Sequence, residues 1–182
     1  MSAAATLMYE RGVGATSLND VLAAAGAGKS QLYHYFRDKE ELVAAVLDHQ
    51  LALVLGQQGQ FRLDTWSGLR AWFDALVAGQ RERSLRGCPL GALTAEVSAS
   101  EERHAQVGEA FSRWKLPLAQ GLARMQEYGR LSRSADPDEL ADIVMAAIQG
   151  GYLLSAAQQD IRPMRRALSA SYATLRSRRS AA

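Results

Sequence analysis

The sequence predicts an all-α fold in two domains: an N-terminal three-helix unit over 1–45 that contains a helix-turn-helix, and a larger helical domain over 46–182. Three observations predict it. Apolar residues recur at spacings of three and four through nearly every long segment, and no stretch alternates convincingly at period two. Only four prolines interrupt 182 residues. From Thr16 to Glu41 the order is cap, short apolar-faced segment, glycine turn, second short segment, second cap, which is the grammar of a helix-turn-helix.

Residues 1–12, with Leu7 and Met8 on one side, supply the first helix. The two short helices after it carry too little apolar surface to fold alone and need this cover. Thr16 and Ser17 are N-cap types, and Asp20 falls in the first turn, where a carboxylate favours the positive helix end. Leu18, Val21, Leu22 and Ala25 then share a face. Gly26 supplies the left-handed residue that ends this helix, and Gly28 opens the next as a weaker cap. In that next helix Leu32 and Phe36 should turn inward, leaving Lys29, Ser30, Gln31, Tyr33, His34 and Tyr35 outside. Asp38 with Glu41 makes a capping-box-like start for the following helix.

The helix from Lys39 to about Leu55 places Leu42, Val46, His49 and Leu53 on one face, and the glycine-rich segment 56–60 reads as a break. Asp64 and Thr65 cap a helix to about Arg83, with Trp66, Leu69, Phe73 and Leu76 in a stripe that must bury. Residues 86–91 break the chain, a short helix follows over 92–99, and a long one runs over 100–128. Val107, Phe111, Trp114, Leu118, Leu122 and Met125 hold its apolar face, and Pro117 inside it should introduce a kink. Asp136, Pro137, Asp138 and Glu139 form a strong helix start. The helix they open is apolar over most of its circumference, through Leu140, Ile143, Val144, Ala147, Ile148, Gly151 and Leu154. Pro163 opens the last helix, striped by Met164, Leu168, Ser171, Tyr172 and Leu175.

Composition bounds the function. A formal charge of +2 is too near neutral to imply a partner. Residues 1–50 carry four basic side chains against six acidic ones, formally −2, which is not the basic footprint of a typical nucleic-acid binder. A single cysteine, Cys88, permits no disulfide within the chain and fits a reducing cytoplasm. No basic segment followed by an apolar run opens the chain, so no signal peptide is expected. The apolar run 143–159, interrupted by Gln149, Gly150 and Gly151, is short for a membrane span.

Gly14-Ala15-Thr16-Ser17, Ala24-Ala25-Gly26 and Leu32-Tyr33-His34-Tyr35-Phe36-x-x-Lys39-Glu40-Glu41-Leu42 together resemble the DNA-binding domain of the tetracycline-repressor (TetR) family, without gaps. The run Gly87-Cys88-Pro89-Leu90-Gly91-x-Leu93-x-x-Glu96 resembles a branch that includes lincomycin-resistance repressors. The resemblance implies a cytoplasmic, sequence-specific regulator of transcription that is not an enzyme and carries no cofactor or metal. Thr16 and Ser17 would touch phosphate while capping their helix. Gly28, Lys29, Ser30, Gln31, Tyr33, His34 and Tyr35 would face the groove and backbone of double-stranded DNA, and Lys39 would hold a phosphate. The family usually carries residues before the first helix, often basic; here the chain starts almost in the helix, so arm contacts are not expected from the residues present.

The resemblance also makes residues 46–182 a ligand-binding and dimerisation domain. Residues 136–178 would pair with their copy in a four-helix bundle, setting two recognition helices on a palindromic operator. The middle helices would enclose a small hydrophobic effector that releases the repressor, with Trp66, Phe73, Cys88, Leu93, Phe111, Trp114, Met125 and Tyr152 as candidate lining. A filled core is the alternative for these positions, and a buried, unreactive Cys88 is favoured over a sensor thiol because Arg86 is the one base near it in sequence. The alternative function is an all-helical ligand-binding or metal-dependent enzyme with an incidental helix-turn-helix. Its marks are weak. Gly28-Lys29-Ser30 lacks the first glycine of a phosphate loop, Glu101-x-x-His104 has no second copy, and three scattered histidines give no zinc spacing.

Overall fold

A computed structural model describes residues 1–28, 34–93 and 101–180, with side chains from 104 onward in the last segment. Its helices, in order, are α1 (Ser2–Arg11), α2 (Leu18–Ala25), α3 (Lys39–Gln58), α4 (Trp66–Glu82), α5 (Glu101–Glu127), α6 (Pro137–Gln158) and α7 (Arg162–Ser177), with a 3-10 turn at Gly91–Leu93. There is no strand among the described residues beyond an isolated antiparallel bridge between Leu131 and Arg179. The expected all-α fold is what the chain adopts.

Two compact units are present. The first comprises Met1–Leu55 and Pro89–Phe111. Here α1 lies on α2 and on the 3-10 turn, burying Ala4, Ala5, Leu7 and Met8 with Val21, Leu22 and Leu93. Each large side chain removed from water in this way contributes about 1.5–3 kcal/mol. Ser17 caps α2: its hydroxyl accepts from Asp20 N at 3.1 Å, and Asp20 Oδ2 accepts from Ser17 N at 2.8 Å, a reciprocal box. Gly26, at φ 61°, closes α2 in the left-handed conformation. Asp38 Oδ1 accepts from Glu41 N at 2.9 Å and starts α3.

Three expectations change in α2 and α3. Ala25 is exposed, and so is Leu53 at 51%. The buried seam of α3 runs instead through Leu42, Val46, Leu47 and Leu51. Leu53 lies two residues past Leu51, about 200° around the helix, and so points the other way. The break expected at 56–60 begins later, because α3 continues through Gly56 to Gln58. A glycine in a helix costs only about 1 kcal/mol, which does not stop a long helix.

The second unit comprises Gly56–Cys88 and Ser112–Ala182. Thr65 caps α4, accepting from Gly68 N at 3.0 Å. Asp136 caps α6 by accepting from Asp138 N and Glu139 N, with Pro137 in the first turn. α6 and α7 form an antiparallel hairpin, close at Gly151, where an added Cβ would stand 3.0 Å from Met164 Cα. Ser155 Oγ, buried on the same side, accepts from Met164 N at 3.3 Å. α4 lies on α7 through aromatic edges: Trp66 and Phe73 both meet the Tyr172 ring, and Arg70 stacks on its face at 4.2 Å. Leu118, Leu122 and Met125 on α5 are buried as their spacing requires, and α5 is continuous through Pro117. At Gly121 the α5 backbone admits Leu63, whose carbonyl carbon would stand 2.8 Å from an added Cβ. Although the apolar run seemed short, α6 is long and apolar enough by length and composition to cross a membrane; one side of it is buried within this unit at Leu140, Val144 and Ile148.

Candidate functional site

The candidate nucleic-acid face is built at the ends of α2 and α3. Ser17 is exposed beside the positive end of α2, where peptide N–H groups favour an anion. Asp20 sits in the same turn, and the hydrogen bonds from the Ser17 side chain and backbone hold its carboxyl below the usual carboxylate range. Thr16 is different. It is 1% exposed and its hydroxyl donates to Gly12 O at 2.8 Å, so it braces the α1–α2 turn from inside, out of reach of a phosphate. The reason is the cap itself: with Ser17 as N-cap, the residue before it turns under α1.

Gly28 is exposed with open space around it. His34 and Tyr35 are helical and exposed, Tyr35 at 69%, and their rings meet edge to face at 5.1 Å. Phe36 is half-buried, its ring tilted against that of Tyr35 at 6.5 Å. Lys29, Ser30, Gln31 and Tyr33, the remaining candidates on this face, lie outside the described residues. Lys39 Nζ reaches back to Gly14 O at 3.3 Å and ties the start of α3 to the turn before α2. An ammonium has three donors, so this bond leaves two for a phosphate. Arg37 is paired: Glu41 accepts from both its backbone N at 2.7 Å and its Nε at 2.8 Å. That pairing holds the Glu41 carboxyl below its ordinary value and Arg37 above its own.

The candidate effector residues divide between the units. Trp66, Phe73, Cys88, Trp114, Met125 and Tyr152 belong to the second, where all but the half-buried Trp66 are buried. Cys88 is buried as its unreactive reading expects. Leu93 and Phe111 belong to the first. Leu93 lines a small cleft there with Glu40, Val43, Ala44, Leu47, Gln106 and Val107. Its volume is about 20 Å³, enough for one water and far below an effector.

Comparison with known proteins bears out the regulator reading. Residues 1–46 match the family described as bacterial regulatory proteins, tetR family, and residues 66–170 match the transcriptional regulator LmrA/YxaF-like C-terminal domain. The chain belongs to the TetR family. As such it is a DNA-binding transcriptional regulator. It is 29% identical over 167 residues to an uncharacterized HTH-type transcriptional regulator of Lactococcus lactis subsp. lactis, covering 88% of this chain and 83% of that protein. It is 25% identical over 163 residues to the HTH-type transcriptional repressor DhaR of Mycobacterium sp. (strain GP1), covering 87% and 81%. Its fold is similar to that of a regulatory protein TetR from Rhodobacter sphaeroides, with a TM-score of 0.84, 24% identity and 94% of each chain covered.

Sequence reasoning about this TetR-family chain missed polar groups inside the second unit. Gln58 is 1% exposed, with neither amide atom hydrogen-bonded. Gln149 Nε2 and Arg83 Nε are likewise buried without a partner. Gln80 is buried too, and its amide donates to Gly87 O and accepts from Gly87 N at 3.2 Å each, fixing the loop that carries Cys88. The one available signal was Gln149 interrupting an apolar run; Gln58 and Arg83 stood among other polar residues at helix ends, where exposure is the ordinary expectation.

Proposed function

We propose that this regulator is a homodimeric repressor that reads a palindromic operator and leaves it when a small, mainly hydrophobic molecule enters the second unit. The observation that carries the reading is the outer side of α6. Ile143, Leu153 and Leu154 are 40%, 69% and 48% exposed, and Gly150 between them has open space around it. An apolar stripe of this length on a helix whose other side is already buried favours a second copy across a twofold axis, within residues 136–178. A dimer sets two α2-to-α3 faces one helical turn of DNA apart, about 34–36 Å or a multiple, which matches a palindrome.

In each face Ser17 and Lys39 bind phosphate, and Gly28 lets the backbone approach. Lys29, Ser30, Gln31, Tyr33, His34 and Tyr35 complete the contact to base edges and backbone. Thr16 supports the face from behind. The buried aromatics of the second unit supply the apolar surroundings of an effector. Its action is linkage: the effector prefers a dimer whose two faces no longer fit the operator, so it weakens DNA binding, and DNA weakens effector binding by the same factor. α3 and α5, which each carry residues of both units, are the elements that transmit it. Repression, the activity for which DhaR is named, is the direction favoured.

Duplex selected from a random pool by the full-length protein should yield an inverted repeat, and sedimentation should give a dimer at micromolar concentration. Leu153→Arg with Leu154→Arg should give a folded monomer that binds the selected duplex at least tenfold more weakly. A wild-type monomer that holds the repeat with full affinity would overturn the reading.

A further inference from the structure

Arg83 follows the last residue of α4 and is half-buried in the second unit. Its NH2 donates to Tyr152 Oη at 3.2 Å, and its guanidinium carbon lies 5.9 Å from the Tyr152 ring centroid. Gly79 leaves it room to fold back along α4, since a Cβ there would stand 3.1 Å from NH1. No carboxylate is paired with it among the described residues. Gln149 lies three residues before Tyr152 and so occupies the neighbouring position on the same side of α6. Thus Arg83 Nε beside Tyr152 and Gln149 Nε2 one turn earlier on α6 are two shielded donors without acceptors.

The chain holds Arg83 there against local preference. Ser84 and Leu85 are both left-handed, at φ 52° and 57°, a conformation that side chains other than glycine disfavour. Leu85 N is tied to Gln80 O at 3.0 Å, and the Gln80 amide clamps Gly87, so the turn after Arg83 is fixed from within the unit.

A guanidinium Nε–H shielded from water without an acceptor is unfavourable, and both idle groups are donors. What completes them is an anionic acceptor. We propose that Arg83 and Gln149, beside Tyr152, form a carboxylate site, so that the effector is an apolar monocarboxylic acid. The proposal rests on the effector reading above and names the chemistry of its ligand. One guanidinium balances one carboxylate and meets it with two parallel donors, whereas a phosphate monoester would bring nearly one further charge with nothing to balance it. The rest of the acid is apolar because the interior of this unit is, with Trp72, Phe73, Trp114 and Met125 all buried.

The test uses the full-length protein with acids from butanoate to decanoate, benzoate, phenylacetate and 3-phenylpropanoate, each beside its methyl ester at matched ionic strength. Binding is read by calorimetry and by release of the selected duplex. At least one acid should bind far more tightly than its ester and release the duplex. Arg83→Gln should weaken that acid about 10- to 100-fold, the range for loss of a charged hydrogen bond, and Gln149→Leu by less. Far-ultraviolet circular dichroism checks that Arg83→Gln folds; if it does not, Arg83→Lys and Gln149→Leu carry the test, and the proposal fails if both bind the acid as wild type does. Esters that bind as well as acids, or an Arg83→Gln protein that keeps full affinity, overturn the carboxylate site. Esters alone releasing the duplex would overturn it and leave the effector reading intact. No binding of any compound overturns the carboxylate site, and the effector reading falls as well only if neutral hydrocarbons and alcohols also leave the duplex bound.

Discussion

Ser17 and Thr16 are both hydroxyl side chains at the entrance to α2, yet one faces solvent and the other Gly12 O. Ser17→Ala should cost about 1 kcal/mol of stability by removing the cap. It should also weaken every duplex by a similar factor, because a phosphate contact carries no sequence information. Thr16→Val removes a buried donor and leaves Gly12 O without it, so it should destabilise while leaving DNA affinity per folded molecule unchanged; urea unfolding and gel-shift titration separate the two. The Asp20 carboxyl is depressed by its Ser17 bonds. Its contribution is therefore complete above the unfolded aspartate value, about pH 3.9, and is lost as pH falls through the lower folded value. The difference in melting temperature between wild type and Asp20→Asn should be constant from pH 8 to about 5 and shrink below about 4. Gln58, with both amide atoms shielded and unbonded, should be improved by Gln58→Leu, by about 1–3 kcal/mol in urea. The caps at Ser17, Thr65 and Asp136 were legible in the sequence because capping is set within four residues. The burial of Gln58, Arg83 and Thr16 was not, because it is set by helices distant in sequence.

Helix existence was legible through periodicity, and helix ends less so. α3 ran past the glycine at 56 because a single glycine costs a helix only about 1 kcal/mol. Adjacent glycines in α6 show what periodicity cannot assign. Gly151 faces Met164 and Gly150 faces open space, although both are the same residue in the same apolar run. Gly151→Ala should destabilise the α6–α7 hairpin, because Met164 Cα, at 3.0 Å from the new methyl, is backbone and moves only with its helix. Gly150→Ala disturbs no packing within its own chain. Gly121→Ala should be worse than either, costing about 1–3 kcal/mol or more, since it meets the Leu63 main chain at 2.8 Å. Thermal unfolding should show Gly121→Ala as the most destabilised, Gly151→Ala next and Gly150→Ala the least.

For the whole molecule, the family was within reach of the sequence, but the lining of the second unit was not: six of the eight candidate effector positions lie in it, whereas Leu93 and Phe111 fall in the first unit because 89–111 groups there and not with the rest of 46–182. The N-terminal 50 residues remain formally acidic, and the structure fixes some of those acids in place at Asp20 and Asp38 as helix caps and at Glu41 against Arg37. Of the four basic residues in 1–50, Lys29, Arg37 and Lys39 fall in or beside the helix-turn-helix stretch and would be the ones to displace counterions from DNA. If all six in a dimer do so, log K against log salt has a slope of about −5 at most. A steeper measured slope would place further cations at the interface.

An ion-poor face also governs how a regulator finds its target. Attraction to arbitrary sequence comes almost wholly from phosphate neutralisation, so a molecule with this arrangement lets go of wrong sites quickly and covers a chromosome by short visits through solution instead of long one-dimensional scans. Its fidelity then lies in base contacts made after arrival, and raising intracellular potassium should slow its arrival less than that of a strongly basic relative.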